Sequence, residues 1–458
     1  MDKRYLLDRE EIASAERCLE LAMDKGAAKA RVTLSKSKMD LVGTLNGQTD
    51  KINSCLDRSL SISLFVDGRF GAFSTNRLDV GQLGSFLDKA VQTVRTLDQD
   101  PPRDLPVQER TCKRAIDGDE LKLFDSTYYD ITPAQRLEMA LGASAFDSPE
   151  TKGKAWELVS EEGEYSDNIC DTLLLDSQGT RCRHLETNFD YGVEVTVKDS
   201  RGRLYNSYAW DSSTRLGGLD IGGACPEALR KAVESIGPKR LRSRHCTMVL
   251  DRECASKVVS PLLRALNAYS IQQGNSFLKD SLGQKVLPEG LTLADCPHIP
   301  RESGSRLFDS EGVATIPGTV IEGGVVKEYF INTYMSGKMQ MPPTIEDASR
   351  PAVLPYLKGS DIPAGGLSLK EILVCCGEGI LVTGFNGGNS SDATGDFSFG
   401  VEGFAFKNGV ITSPVREMVV TGNLLTLWQG LLAAGTDARR CASRLIPSLA
   451  FEGVSFSA

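Results

Sequence analysis

The chain has 458 residues, 41% hydrophobic and 25% charged, with a formal net charge of -9. That length suggests about two or three packed domains, and an average field of this sign repels nucleic-acid phosphates, so a nucleic-acid partner is disfavoured. Twelve cysteines without a Cys-x-x-Cys pair suit reduced thiols in a cytoplasmic protein, and no stretch approaches the roughly 20 apolar residues that cross a bilayer as a helix.

The opening residues, Met1 to Glu11, turn charged before an export leader can develop. Asp8-Arg9-Glu10-Glu11 forms a capping box, and Ile12, Ala15, Leu19, Ala22 and Met23 follow at helical spacing until Gly26 stops the helix. Strand-like runs come next, at 30–35, 39–45, 49–54, 60–66 and 70–75, with Asn46-Gly47 and Asp67-Gly68 as turns. Asp79 then caps a second amphipathic helix, and 98–106 is a Pro and Asp linker.

The order recurs about 120 residues later, and such internal repetition outranks any single local assignment. Thr132-Pro133-Ala134-Gln135 caps a helix with Pro at its first position. Strand-like runs follow at 155–161, 171–175, 182–187, 193–197 and 204–208, and Ala228, Leu229, Ala232 and Val233 close the copy with a helix. Residues 1–106 and 107–237 are therefore expected to be two similar units of helix, four strands and helix. The basic run Lys239 to Arg244 reads as a solvated linker. Residues 238–458 shift toward glycine and short strands, which predicts a mostly β third domain and an α+β fold overall. Asp-Ser-x-Gly recurs at 176–179, 199–202, 280–283 and 309–312, which predicts four structural turns.

Chemistry is sparse. Only three histidines occur, His184, His245 and His298, and none forms a pair at helical spacing of the kind that builds a hydrolytic zinc site. No Gly-x-Ser-x-Gly elbow supports a serine nucleophile. Cys375-Cys376 sits in an apolar run that reads as core. The segment Gly384-Phe385-Asn386-Gly387-Gly388-Asn389 has neither the lysine of a phosphate loop nor dinucleotide-fingerprint spacing. No self-sufficient active site and no cofactor are expected.

Several long segments do resemble the TldD/PmbA family. They include Ser276-Phe277-Leu278-Lys279-Asp280-Ser281-Leu282-Gly283, Phe308-Asp309-Ser310-Glu311-Gly312-Val313, Thr394-Gly395-Asp396-Phe397-Ser398-Phe399-Gly400, Thr421-Gly422-Asn423-Leu424 and, near the start, Phe65-Val66-Asp67-Gly68-Arg69-Phe70-Gly71. The resemblance implies that the peptidase subunit of the family, TldD, carries His-Glu-x-x-x-His on the helix after the third domain's first strand. The corresponding helix here contains Val259-Ser260-Pro261-Leu262-Leu263-Arg264-Ala265, so the two histidine positions fall at Ser260 and Ala265 and the glutamate at Pro261. Alanine offers no lone pair, proline no carboxylate, and one serine hydroxyl is a poor zinc ligand.

The family's zinc site also takes a cysteine near the C-terminus, for which Cys441 is the nearest counterpart, while an ordinary half-buried thiol is the plainer reading. These departures match the TldE (PmbA) branch. The resemblance implies a noncatalytic subunit of a cytoplasmic zinc peptidase, a TldD-like partner, and peptides or unfolded proteins as substrate. Alternatives are an independent peptidase with unrecognised catalytic groups and a regulator of DNA gyrase, and a homodimer is compatible with the chain alone. Gly387, Gly388, Gly395 and Asp396 are the expected lining of a substrate or partner cleft, because glycine permits close backbone approach and a strand with a free edge can pair with an extended peptide. The plainer reading of those glycines is tight turns.

Overall fold

The computed structural model describes residues 4–142, 144–147, 151 and 154–458. They fall into two compact units, one from within residues 1–233, 298–315 and 332–341, the other from 234–297, 316–331 and 342–458. The fold is α+β.

In the first unit, helix α1 (Arg9–Asp24) begins at the expected capping box. The Asp8 side chain accepts from the Glu11 N–H at 2.8 Å, and the Glu11 carboxylate accepts from the Asp8 N–H at 2.9 Å. Strands β1 (Lys29–Leu45), β2 (Gln48–Val66) and β3 (Arg69–Thr75) lead to helix α2 (Val80–Arg95), which Asp79 caps. Helix α3 (Pro133–Leu141) opens on the Thr132 and Gln135 box, and β4 (Trp156–Asp176), β5 (Arg181–Asp199), β6 (Leu204–Ser213) and α4 (Ile221–Glu234) repeat the order. All six strands form one antiparallel sheet, ordered β3-β2-β1-β4-β5-β6, so the two three-stranded halves join edge to edge at β1 and β4.

Each half has three strands and not the expected four. Polar Lys36-Ser37-Lys38 and Asp57-Arg58-Ser59 look like interruptions in the sequence, yet they lie inside β1 and β2 and pair with each other, Lys36 opposite Arg58 and Ser37 opposite Asp57. Their backbone groups are satisfied by the ladder, so the strand continues where its hydrophobic pattern stops. Around Leu173 to Leu175 of β4 the sheet is covered on both sides. Leu173 and Leu175 pack with α1 and α2, whereas Leu174 between them joins Cys112, Leu121, Leu123 and Cys182.

Glu11 does more than cap α1. Lys36 Nζ donates to it at 2.8 Å and Arg58 Nη1 at 2.8 Å, in a site where Glu11 is only 6% exposed. Burial alone would raise its pKa, but the bonds from Lys36, the Asp8 N–H and Arg58 together hold it below the usual value. A depressed carboxylate contributes stability above its unfolded pKa of about 4.3 and loses that contribution as pH falls through the lower folded value. The Glu11→Gln variant is expected to lose about 1–3 kcal/mol at neutral pH and to show a shallower fall in melting temperature on the acid side. Parallel acid limbs for the variant and the parent would disprove this role.

The second unit is built on a small barrel. Strand β7 (Arg244–Leu250) leads into α5 (Ser256–Ala265) and α6 (Ala268–Gln272). Strands β8 (Leu293–Asp295), β9 (Gly318–Glu322), β10 (Val325–Val326) and β11 (Pro351–Val353) form a four-stranded sheet, while helix α7 (Thr333–Met339) belongs to the first unit. After β12 (Tyr356–Leu357) and α8 (Leu369–Cys376) come β13 (Glu378–Ser390), β14 (Asp396–Lys407), β15 (Val410–Asn423), α9 (Leu424–Gln429), β16 (Leu431–Ala434) and β17 (Leu449–Ser457). β7 pairs in parallel with β13 and antiparallel with β17, which closes the ring β7-β13-β14-β15-β17. The run that reads as core around Cys375 is the C-terminal turn of α8, where Ile372 and Leu373 are buried but Cys375 is exposed.

Three of the four Asp-Ser-x-Gly stretches make the same turn. The Asp176, Asp199 and Asp309 carbonyls each accept from the glycine three residues on, at 3.2, 2.9 and 3.0 Å, and each carboxylate accepts from two nearby N–H groups. The fourth differs. Asp280 itself takes a positive φ of 61°, and Gly283 donates to the Val326 carbonyl.

Candidate functional site

Helix α5 is where the resemblance places its chemistry. Its buried face is Val258, Val259, Pro261, Leu262 and Ala265, an apolar stripe at helical spacing. Pro261 stands inside the helix, where it removes one backbone donor. Ala265 is fully buried, and its carbonyl accepts from Ser276 Oγ at 2.5 Å. Ser260 is half-buried, and its Oγ accepts from Arg444 Nη1 at 2.6 Å.

The segment carrying Cys441 lies along this helix and the turn before it. Arg252 Nη1 donates to the Asp437 carbonyl at 2.9 Å, Arg439 Nη1 reaches Glu253 Oε1 at 3.0 Å, and Arg444 reaches Ser260. Cys441 is half-buried and hydrogen-bonds Arg439. Burial alone would lower the Arg439 pKa, but Glu253 and Cys441 beside it raise it. Beneath the segment, fully buried Arg350 donates from Nη1 to the Ala442 carbonyl at 2.7 Å and from Nη2 to the Arg440 carbonyl at 2.8 Å. At Cys254, in the turn before α5, burial pushes the thiol up, which disfavours the thiolate, and Sγ donates to the Val382 carbonyl at 3.2 Å.

The donor set does not fit a zinc ion. Pro261 and Ala265 have no side-chain ligand atom to give, Ser260 is occupied by the Arg444 guanidinium, and Glu253 is paired with Arg439. Among the described residues no group of three His, Cys, Asp or Glu side chains is placed to hold a metal. The histidines have other partners: His184 faces Glu186 at 3.3 Å, His245 Nδ1 faces Ser455 Oγ at 3.0 Å, and His298 Nε2 faces Thr315 Oγ1 at 2.9 Å.

The glycine cluster lies on the same side of the barrel as the C-terminal end of α5. Arg264 forks onto Asp392, Nε to Oδ2 at 2.9 Å and Nη2 to Oδ1 at 2.8 Å, and Asp392 belongs to the loop from β13 to β14. Gly395 in that loop has φ +78° and lies against Phe277. Asp396 accepts from Asn423 Nδ2 at 3.0 Å and Thr394 Oγ1 at 2.8 Å, and these two bonds hold its carboxyl below the usual range. Gly387 and Gly388 sit at a bulge of β13. At Gly388, φ is +87° and a Cβ would overlap the Ser398 carbonyl oxygen, so backbone and packing both require glycine; at Gly387, φ is +131° with open space around it. β7 pairs with β13 only from Gly379 to Val382, after which it turns into α5, so among the described residues no strand lies on that side of 383–390.

Sequence reading pointed to Ser260, Pro261, Ala265 and Cys441, and not to the residues that surround them in the structure, Glu253, Arg439, Arg444 and Arg350. The available signal was the density of arginines around Cys441, at Arg439, Arg440 and Arg444.

Residues 243–458 match the family model described as the PmbA/TldA metallopeptidase C-terminal domain. Over 444 residues the chain is 26% identical to a protein named metalloprotease PmbA from Escherichia coli O157:H7, an alignment covering 95% of this chain and 94% of that one. A crystal structure from Bacteroides thetaiotaomicron, described as a candidate modulator of DNA gyrase, is 35% identical, with a TM-score of 0.90 over 99% of this chain and 100% of that one. TldE from Thermococcus kodakarensis shares the fold, with a TM-score of 0.80 at 16% identity over 97% of this chain and 100% of that one. With agreement along its whole length, this chain belongs to the PmbA/TldD family.

Proposed function

We propose that the chain is the noncatalytic, TldE-like subunit of a cytoplasmic zinc peptidase, partnered by a TldD-like subunit and acting on peptides or unfolded proteins. The observation that carries this reading is helix α5, where Ser260 is held by Arg444 and where Pro261 and Ala265 are buried in the apolar face. Amide hydrolysis needs a polarising metal, an activated nucleophile or a paired general base, and the described residues of α5 offer no side chains placed for these roles. The open side of β13 at 383–390, with Gly387, Gly395 and Asp396 near it, would take an extended peptide through main-chain hydrogen bonds that ignore its sequence.

The purified chain is expected to hold well under one zinc per molecule and to leave an unfolded protein substrate intact. Addition of a TldD-like subunit carrying His-Glu-x-x-x-His is expected to give chelator-sensitive cleavage faster than that subunit gives alone. Chelator-insensitive cleavage by the pure chain would refute the reading, as would a TldD-like subunit whose rate the chain leaves unchanged.

A further inference from the structure

The two halves of the first sheet treat their edges differently. On the β5 side, the carbonyls of Ala115, Gly118 and Leu123 accept from the N–H groups of Arg183, Leu185 and Thr187 at 2.9, 3.0 and 3.2 Å, so a chain segment covers that edge. On the β2 side, β3 pairs only with Leu60 to Val66, and among the described residues no strand lies beyond β2 from Gln48 to Ser59. Gln48 to Asp57 are all exposed, with Ile52 at 70% and Leu56 at 63%. A bare edge with apolar side chains is a template for another strand.

Its sequence says which strand. Asp50-Lys51-Ile52-Asn53-Ser54-Cys55-Leu56-Asp57-Arg58 complements its own reverse. An antiparallel pair of two copies centred on Ser54 sets Asp50 opposite Arg58, Lys51 opposite Asp57 and Ile52 opposite Leu56, each contact occurring twice by the two-fold symmetry. Slipping one residue in one direction sets Asp50 opposite Asp57, and slipping in the other sets Lys51 opposite Arg58, so like charges disfavour both neighbouring registers. Within its own chain Lys51 already meets Glu164 at 2.6 Å and Arg58 meets Glu11 at 2.8 Å, but Lys51 and Arg58 are 49% and 36% exposed and have donors left to share.

We propose that the β2 edge, Gln48 to Ser59, pairs with the same edge of a second copy of this chain, antiparallel and centred on Ser54, so that two six-stranded sheets become continuous. The proposal is independent of the peptidase reading, since it concerns the pure chain. Sedimentation equilibrium of the full chain is expected to show a monomer–dimer equilibrium. Lys51→Glu and Asp57→Lys each place like charges at two symmetric contacts and should each weaken the dimer about tenfold. The double variant Lys51→Glu/Asp57→Lys restores opposite charges in this register and should return the parent value.

A second measurement does not rely on charge. In a Cys55→Ser background, Ser54→Cys puts two thiols opposite each other, and glutathione disulfide should oxidise them to an intermolecular disulfide while being reduced to two glutathione thiols. The product is a dimer on a non-reducing gel. A parent that stays monomeric at its solubility limit together with no cross-linked Ser54→Cys dimer would overturn the proposal, as would a dimer that neither single charge variant weakens. A pure chain that is monomeric but loses a different partner subunit on Lys51→Glu would overturn it too, by giving the edge to that subunit.

Discussion

Arg136→Met is expected to cost about 3–5 kcal/mol of folding stability, because it strands a buried carboxylate. Arg136 grips Asp167 with two bonds, Nε to Oδ2 at 2.7 Å and Nη2 to Oδ1 at 3.0 Å, and its Nη1 donates to the Ile131 carbonyl at 2.9 Å. Asp167 is fully buried, and Tyr165 OH is its other donor, at 3.0 Å. Burial already raises the Asp167 pKa against the pull of Arg136, so removing the arginine should raise it further. The proton-bound form is then the one the variant folds around, and its deficit against the parent should shrink as pH falls. Urea titrations at pH 7 and pH 5 with unchanged m-values check both statements. Adding Asp167→Leu to Arg136→Met should recover part of the loss, since the fully buried charge is gone while Asp40, which Arg136 also meets at 3.3 Å, keeps Lys38 and Ser54. A loss at pH 7 no larger than the roughly 1 kcal/mol of a surface pair would show that the site is wetter than its burial implies.

The second large effect concerns Arg350. Its guanidinium gathers the Arg440 and Ala442 carbonyls on either side of Cys441, while its own N–H donates to Asp295 Oδ1 at 2.6 Å. Arg350→Met removes two charge-assisted bonds from a fully buried position and leaves those carbonyls without that donor, a loss of about 3–5 kcal/mol. It should also loosen the segment that lies along α5. Alkylation of Cys441 by iodoacetamide, mapped by mass spectrometry, should therefore speed up, whereas exposed Cys55 in the other unit should react at the parent's rate. Equal acceleration at Cys55 would mean global unfolding and not local release, and no acceleration at Cys441 would show that other contacts hold the segment.

Features whose physics is local were legible in the sequence. The boxes at Asp8 and Thr132 lie three residues from their partners, and both helices begin there. The strands were cut too short, because β1 and β2 are held through their polar middles by neighbours and not by their own hydrophobic pattern; Lys36 pairs with Arg58 on one side and Asp171 on the other. At α5 the residue types Ser260, Pro261 and Ala265 could be read directly. What surrounds them could not, since Arg444 and Ser260 are 184 residues apart and Arg439 and Glu253 are 186 apart. No periodicity announces such pairs.

The ring of the second unit also sets a timetable for folding. Its first strand, β7, pairs along Arg244 to Leu250 with β17, where Leu250 faces Leu449. Until Leu449 to Ser457 are made, β7 has no neighbour on that side, and about 200 residues must leave the ribosome first, roughly 10–40 s at about 5–20 residues per second. Throughout that interval an apolar strand with Met248, Val249 and Leu250 waits with an unpaired flank. Pairing across so long a loop is entropically late and kinetically slow. The second unit therefore completes its ring only after synthesis of the whole chain, while the β1–β2 hairpin of the first unit can close as it emerges.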